Sequence, residues 1–219
     1  MISYFYPGNT INVYGSDPGF SVASNGGTHT AWEDVALIRE IPGAVICDPA
    51  DDVQMEWIIK EFLKMEGIHY VRSNRKAVRN VYKKGSSFKI GQGNILKEGK
   101  DILIIAAGQL VSEALDCAEE LEKEGYSVEV IDMFTIKPLD EKLLIKEAKG
   151  KSKIVTIENH SIYGGLGSAV SEVIAENGIS VPVKRIGVKE KFGQVGTAEF
   201  LQEEFGLTAK QIKETICQF

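Results

Sequence analysis

Three segments of the chain carry residue types that could do chemistry. The first, Gly15-Ser16-Asp17-Pro18-Gly19 continuing to Asn25-Gly26-Gly27-Thr28-His29, follows a strand-like run and precedes a helical one. Ligands of open α/β sheets bind at the carboxyl ends of strands, so a loop in this place is well sited. Gly26 and Gly27 let the backbone approach a ligand closely, and His29 could donate or carry a proton near neutral pH. The same residues also read as a long surface loop whose His29 caps the following helix. The second segment holds Arg72 and Arg75 near the end of an apolar strand, where a planar guanidinium suits a phosphate or carboxylate. With Lys76 and Arg79 these arginines read equally as a solvated basic face. The third runs from Glu158 to Ser168. A strand ends in Glu158, and the Gly164–Gly167 turn opens a helix whose N-terminus could hold an anion; tight turning and close helix–sheet packing account for the same glycines. His69, inside an apolar strand, reads as a satisfied core histidine. His29 with Glu33, and His160 with Glu158, lack an evident third ligand, so no metal site is expected. No serine stands in a Gly-x-Ser-x-Gly turn.

The elements that must position these residues alternate strand and helix from end to end. Ile11–Tyr14, Ala44–Cys47 and Ile68–Arg72 read as strands. Thr30 with Glu33 predicts a capping box ahead of a helix reaching about Glu40, and Asp51 with Gln54 predicts another cap. Met55, Ile58, Ile59, Phe62 and Leu63 then recur at i, i+3, i+4, i+7 and i+8, one buried helix face. Composition shifts at Ser73 to a basic and then Gly/Ser-rich stretch reaching Gly93, which reads as a linker. Beyond it, Ile102–Ala106 is apolar on both faces, as a buried parallel strand requires. Leu110 to Leu121 marks a helix closed by Gly125. Val128–Met133, Ile154–Ile157 and Val181–Ile186 read as strands, and Thr208 with Gln211 caps a C-terminal helix. The pattern predicts an α/β fold of two parallel-sheet units, 1–85 with its linker from about 73, and 86–219.

Composition excludes several classes of function. The 219 residues are 43% hydrophobic and 26% charged, which permits a globular core. A net charge of −6 and the absence of a Lys/Arg block argue against nucleic acid and anionic membrane as partners. Apolar runs are strand-sized, too short for a bilayer, and no signal peptide is evident after Met1. Cys47, Cys117 and Cys217, odd in number and widely spaced, read as free thiols of a reducing cytoplasm.

Taken together, three segments resemble the transketolase family. Gly26-Gly27-Thr28-His29-Thr30-Ala31-Trp32-Glu33-Asp34 is similar to the family's Gly-x-Thr-His-x-x-x-Glu-Asp segment in its pyrimidine-binding domain, and Asp48-Pro49-Ala50-Asp51 to the strand-end turn that follows. Glu158 to Ser168, with Lys184 to Val188 and Phe192-Gly193, resembles the family's C-terminal domain, in the variety found in split transketolases made as two polypeptides. Deoxyxylulose-phosphate synthases and the beta subunits of 2-oxo acid dehydrogenases share this architecture. The resemblance covers nearly the whole chain. It implies that His29 lines the substrate channel near the cofactor, that Arg75, with Arg72 as a weaker match, holds the sugar phosphate, and that Asp17, Asn25, Gly26 and Gly27 belong to the substrate loop. Asn25 stands where the family usually has an acidic residue, and Asp17 where it usually has a histidine.

The resemblance also implies an incomplete machine. The family's chemistry uses thiamine diphosphate and Mg²⁺, with a glutamate bonded to the aminopyrimidine, and these binding elements lie upstream of the segment with which this chain begins. Glu33 and Asp34 sit in the wrong part of the domain to replace that glutamate. The expectation is therefore the second half of a pyrimidine-binding domain plus a C-terminal domain. Such a chain would need an N-terminal transketolase subunit as partner, form a homo-oligomer, act on sugar phosphates and bind no cofactor alone. The alternatives are a non-catalytic assembly or interaction protein that keeps the fold, or a fragment of a deoxyxylulose-phosphate synthase or of a 2-oxo acid dehydrogenase beta-type subunit.

Overall fold

The computed structural model describes residues 8–219. Strands β1 (Ile11–Ser16), β2 (Val45–Cys47) and β3 (Ile68–Ser73) lie parallel in the order β1-β3-β2, with β1 and β3 in register from Ile11 opposite Ile68 to Ser16 opposite Ser73. Helices α1 (Asp34–Arg39) and α2 (Asp52–Phe62) make the crossovers. The second sheet has the order β4-β6-β5-β8-β9, formed by Asn94–Lys97, Val128–Asp132, Ile102–Ala106, Lys153–Ser161 and Val183–Val188. It is parallel apart from β4. Helices α3 (Val111–Lys123), α4 (Glu141–Glu147), α5 (Leu166–Glu176), α6 (Ala198–Glu204) and α7 (Ala209–Gln218) accompany this half. The expected α/β architecture with two mainly parallel sheets is what the chain adopts.

Strand β7 (Thr135–Lys137) departs from the sequence reading. It leaves the second half of the chain and pairs antiparallel with β2, completing the first sheet. The edge of β2 is therefore covered, whereas β1 pairs only with β3 among the described residues. The cores are shared as well. Val35, Ile38, Ile46 and Ile68 pack in one apolar cluster with Leu103, Ile105, Ile131 and Val170. Phe20, Trp32 and Ala50 join Ile104, Ala106 and Val155 in another. Burial of this kind supplies about 25 cal/mol per Å² of apolar surface, so the two sheets stabilise each other.

Local signals explain most boundaries. Asp51 caps α2 by accepting from Gln54 N at 2.9 Å, and the Gln54 side chain returns a bond from Ala50 N. The Thr208–Gln211 capping box of α7 is formed. The expected Thr30–Glu33 box is not: Thr30 Oγ1 donates to Gly26 O, Glu33 accepts from Trp32 N, and α1 starts only at Asp34 without a side-chain cap. Residues 74–93 contain no helix or strand, and they are anchored to the rest of the chain. Asp51 Oδ2 accepts from Val81 N and Tyr82 N, Tyr82 Oη donates to Asp132, and Phe88 stacks edge-on against Trp57 and Phe134. No helix among the described residues is long and apolar enough to cross a membrane.

Candidate functional site

β1 ends in the loop that sequence reasoning singled out. Asp17 takes a left-handed φ of 53° and donates its N–H to Ser73 O at the end of the neighbouring strand β3. Its buried carboxylate turns to Arg75: Oδ1 accepts from Arg75 N at 2.9 Å and Oδ2 pairs with Arg75 Nε. The rest of the Arg75 side chain is 66% exposed, so its outer edge remains free for an anion. Arg75 borders a cleft of about 300 Å³ with Ser73, Lys76, Asn80 and Met55. A carboxylate at position 17 thus pairs with Arg75 and orients it.

Arg72, three residues away, has a different environment. Its side chain is 1% exposed. Nε and Nη2 reach Asp34 at 2.9 and 3.2 Å, Nη1 reaches Asp48 at 2.8 Å, and Nη2 also donates to Asn159 O at 3.0 Å. Tyr70 Oη donates to Asp34 as well. Burial opposes ionisation of Asp34, but Arg72 and His160, with the Tyr70 bond, outweigh it and hold its carboxyl below the usual range. Asp48, more deeply buried, is pushed up despite Arg72. With four of its five N–H donors committed inside the chain and only 1% of the side chain exposed, Arg72 ties β3 to α1, to Asp48 just after β2 and to β8, and presents no accessible edge to a phosphate.

The remaining loop residues turn elsewhere. After a 3₁₀ segment (Gly19–Asn25) kinked at Ala23, Gly26 adopts φ 78°. A Cβ at Gly26 would collide with Val195, and one at Gly27 with Gly193 O, so this chain's own 192–195 segment occupies the close approach that these glycines permit. Asn25, Gly26, Gly27 and Thr28 line a shallow recess of about 470 Å³ with Phe192, Gly193 and Val195. His29 is exposed, its Nδ1 3.0 Å from Thr28 Oγ1, and borders neither this recess nor the Arg75 cleft.

The anion at the N-terminus of α5 is internal. Glu158 accepts from Leu166 N and Gly167 N at 2.8 and 2.9 Å. Burial pushes its carboxyl up to about 7, against the pull of those two bonds. Beside it, His160 donates Nδ1–H to Ser161 O in the tautomer this geometry favours, while its Nε2 has no partner. Burial, reinforced by Arg72, holds the ring down at about 4. His69 is likewise half satisfied: Nδ1 meets Asn12 Oδ1 at 2.6 Å and Nε2 is unpartnered. Asn159, inside the third segment but given no role by sequence reasoning, reaches the loop with both side-chain ends. The available signal was a run of polar residues, Glu158-Asn159-His160, ending an otherwise apolar strand.

The profile described as the transketolase C-terminal domain matches residues 91–212. This chain belongs to the transketolase family. It is 41% identical over 211 residues to a 6-deoxy-6-sulfo-D-fructose transketolase subunit of Clostridium sp. (strain MSTE9), covering 96% of this chain and 65% of the relative. It is 38% identical to a putative transketolase C-terminal section of Methanocaldococcus jannaschii, covering 97% and 67%. A solved split-gene transketolase, described as an inactive beta4 tetramer, superposes with a TM-score of 0.87 at 36% identity, covering 97% of this chain and 67% of that one. The transketolase-like chain therefore spans about two-thirds of the length of such relatives.

The cofactor and metal implied by the family can be tested against the residues present. Among the described residues, no three His, Cys, Asp or Glu side chains gather as a metal site. The buried carboxylates of this region are engaged: Asp34 and Asp48 by Arg72, Glu158 by the α5 terminus, and Asp132 by Tyr82 and Gln54. Asp132 Oδ1 alone lacks a partner, and it is fully buried, so none of these four is open to an aminopyrimidine and this set alone does not fit thiamine diphosphate.

Proposed function

We propose that this chain is the C-terminal subunit or section of an enzyme that transfers a two-carbon ketol unit between sugar phosphates. The observation that carries this reading is the match, along nearly the whole chain, to relatives named as transketolase subunits. The relatives' names as a subunit and as a C-terminal section, with the engaged carboxylates, support the further reading that a partner polypeptide contributes binding elements for thiamine diphosphate and Mg²⁺. A split-gene relative described as an inactive tetramer agrees with a homo-oligomer that is silent without its partner. In the assembled enzyme, the loop from Asp17 to His29 faces the substrate. Arg75, oriented through Nε by Asp17, presents its outer edge to the phosphate. His29, exposed on the loop, donates a hydrogen bond or proton to the reacting oxygen. Units 1–85 and 86–219 act as one body through their shared cores.

Substitutions in the reconstituted pair test these roles. Arg75→Ala should weaken phosphorylated substrates about ten- to a hundredfold more than unphosphorylated ones, the value of a charge-assisted contact of about 1.5–3 kcal/mol. His29→Ala should lower turnover on the order of 10²–10⁴-fold, as loss of a positioned proton donor does. Equal effects of Arg75→Ala on both substrate types would make Arg75 structural. Unchanged turnover in His29→Ala would leave that histidine as a loop residue only.

A further inference from the structure

Asn159 lies on β8, far along the chain from the loop, yet its side chain serves the loop alone. Oδ1 accepts from Phe20 N at 3.1 Å and Nδ2 donates to Pro18 O at 3.0 Å. These two backbone groups flank Gly19, whose φ of 58° turns the chain, and a Cβ at Gly19 would collide with Asn159 Oδ1. The far end of the loop is held from the same strand, since Ser161 N donates to Trp32 O at 2.8 Å, and Gly19 N donates across the loop to Ala31 O at 3.1 Å. Asn159 is itself immobilised: it is 2% exposed and its carbonyl accepts from Arg72. An asparagine suits this task because its amide offers an acceptor and donors together. An aspartate would set an oxygen against Pro18 O, and an alanine would leave Phe20 N buried without a partner and Pro18 O with only its bond from Ser21 N.

We propose that Asn159 is a positioning residue, fixing the path of the loop that carries Asp17, Asn25 and His29 and so aligning these groups for the substrate. The alignment rests on the functional reading above, whereas the hold on the loop rests on geometry alone. The C-terminal unit then does more than support the fold, because it sets the shape of a loop belonging to the other sheet.

Two readouts separate the hold from the reaction. In hydrogen exchange on the 219-residue chain, Asn159→Ala should speed exchange of peptides spanning residues 18–29 roughly ten- to a hundredfold, the value of two lost hydrogen bonds, and leave β5 and β6 protected. Unchanged exchange in a folded variant would overturn the proposal. Should Asn159→Ala fail to fold, Gly19→Ala forces the same contact apart from the loop side and carries the same expectation. In the reconstituted pair, Asn159→Ala should lower kcat on the order of 10²-fold without changing thiamine diphosphate affinity. It should lower kcat less when His29 is already alanine, because the two act through one loop. Additive losses, or no loss, would overturn the alignment. If the wild-type pair transfers no ketol unit, the functional reading fails, and the exchange result still decides the hold.

Discussion

Replacing Arg72 by methionine should be among the most damaging single changes in this chain. The methionine roughly fills the volume of the buried stem but removes four hydrogen bonds, to Asp34 twice, to Asp48 and to Asn159 O. It leaves two acidic side chains facing each other without their cation, and breaking a buried ion pair from one side costs about 3–5 kcal/mol. Against a total stability of about 5–15 kcal/mol for a typical native protein, that would displace a urea midpoint far toward zero. Arg75→Ala provides the contrast. Its side chain is 66% exposed, and the buried Asp17 carboxylate keeps its bond from the Arg75 backbone N–H, so the loss should stay well below that of Arg72→Met. If the loss in Arg72→Met is uncompensated charge, adding Asp48→Asn should recover part of it, with a coupling above about 1 kcal/mol. Urea titrations of the four variants measure this directly. Similar midpoints for Arg72→Met and Arg75→Ala, or no recovery on adding Asp48→Asn, would refute the assignment of Arg72 as an internal tie.

Two further outcomes follow from burial and from the open sheet edge. His160 has a folded-state value near 4, against an ordinary 6.5, so its contribution is fully present above pH 6.5 and is lost as pH falls toward 4. Between pH 6.5 and 5 the wild type should lose on the order of 1–2 kcal/mol relative to His160→Gln, and parallel pH profiles would contradict this. Among the described residues the outer edge of β1 has no pairing strand, and with Tyr14 exposed beside it that edge is a template for association. Light scattering should find a species larger than 24.0 kDa or dye-binding apolar surface, and a clean monomer without dye binding would count against it.

What was legible in the sequence was local. The apolar run Ile102–Ala106 announced a central strand because every position in it is buried. Asp51–Gln54 and Thr208–Gln211 announced caps because their partners lie three residues apart. Thr30–Glu33 carries the same signature, yet Thr30 is drawn back to Gly26 and Glu33 to Trp32, so the loop wins over the cap. Strand β7 was illegible because three residues hold too little pattern, and its partner β2 lies some ninety positions earlier. Arg72 and Arg75 share a residue type and a neighbourhood in sequence. Only the fold, bringing Asp34, Asp48 and Asn159 around one and solvent around the other, separates them. The role of Asn159 was missed for the same reason, its bonds to Pro18 and Phe20 spanning about 140 positions.

The central claim is that this transketolase-family chain holds part of a site that a second polypeptide completes. Calorimetric titration of thiamine diphosphate with Mg²⁺, first into the chain alone and then into the chain mixed with its partner, tests it most directly. The account predicts no measurable heat from the chain alone, because its nearby buried carboxylates are engaged internally, and saturable binding once the partner is present. A micromolar dissociation constant for the chain by itself would contradict it.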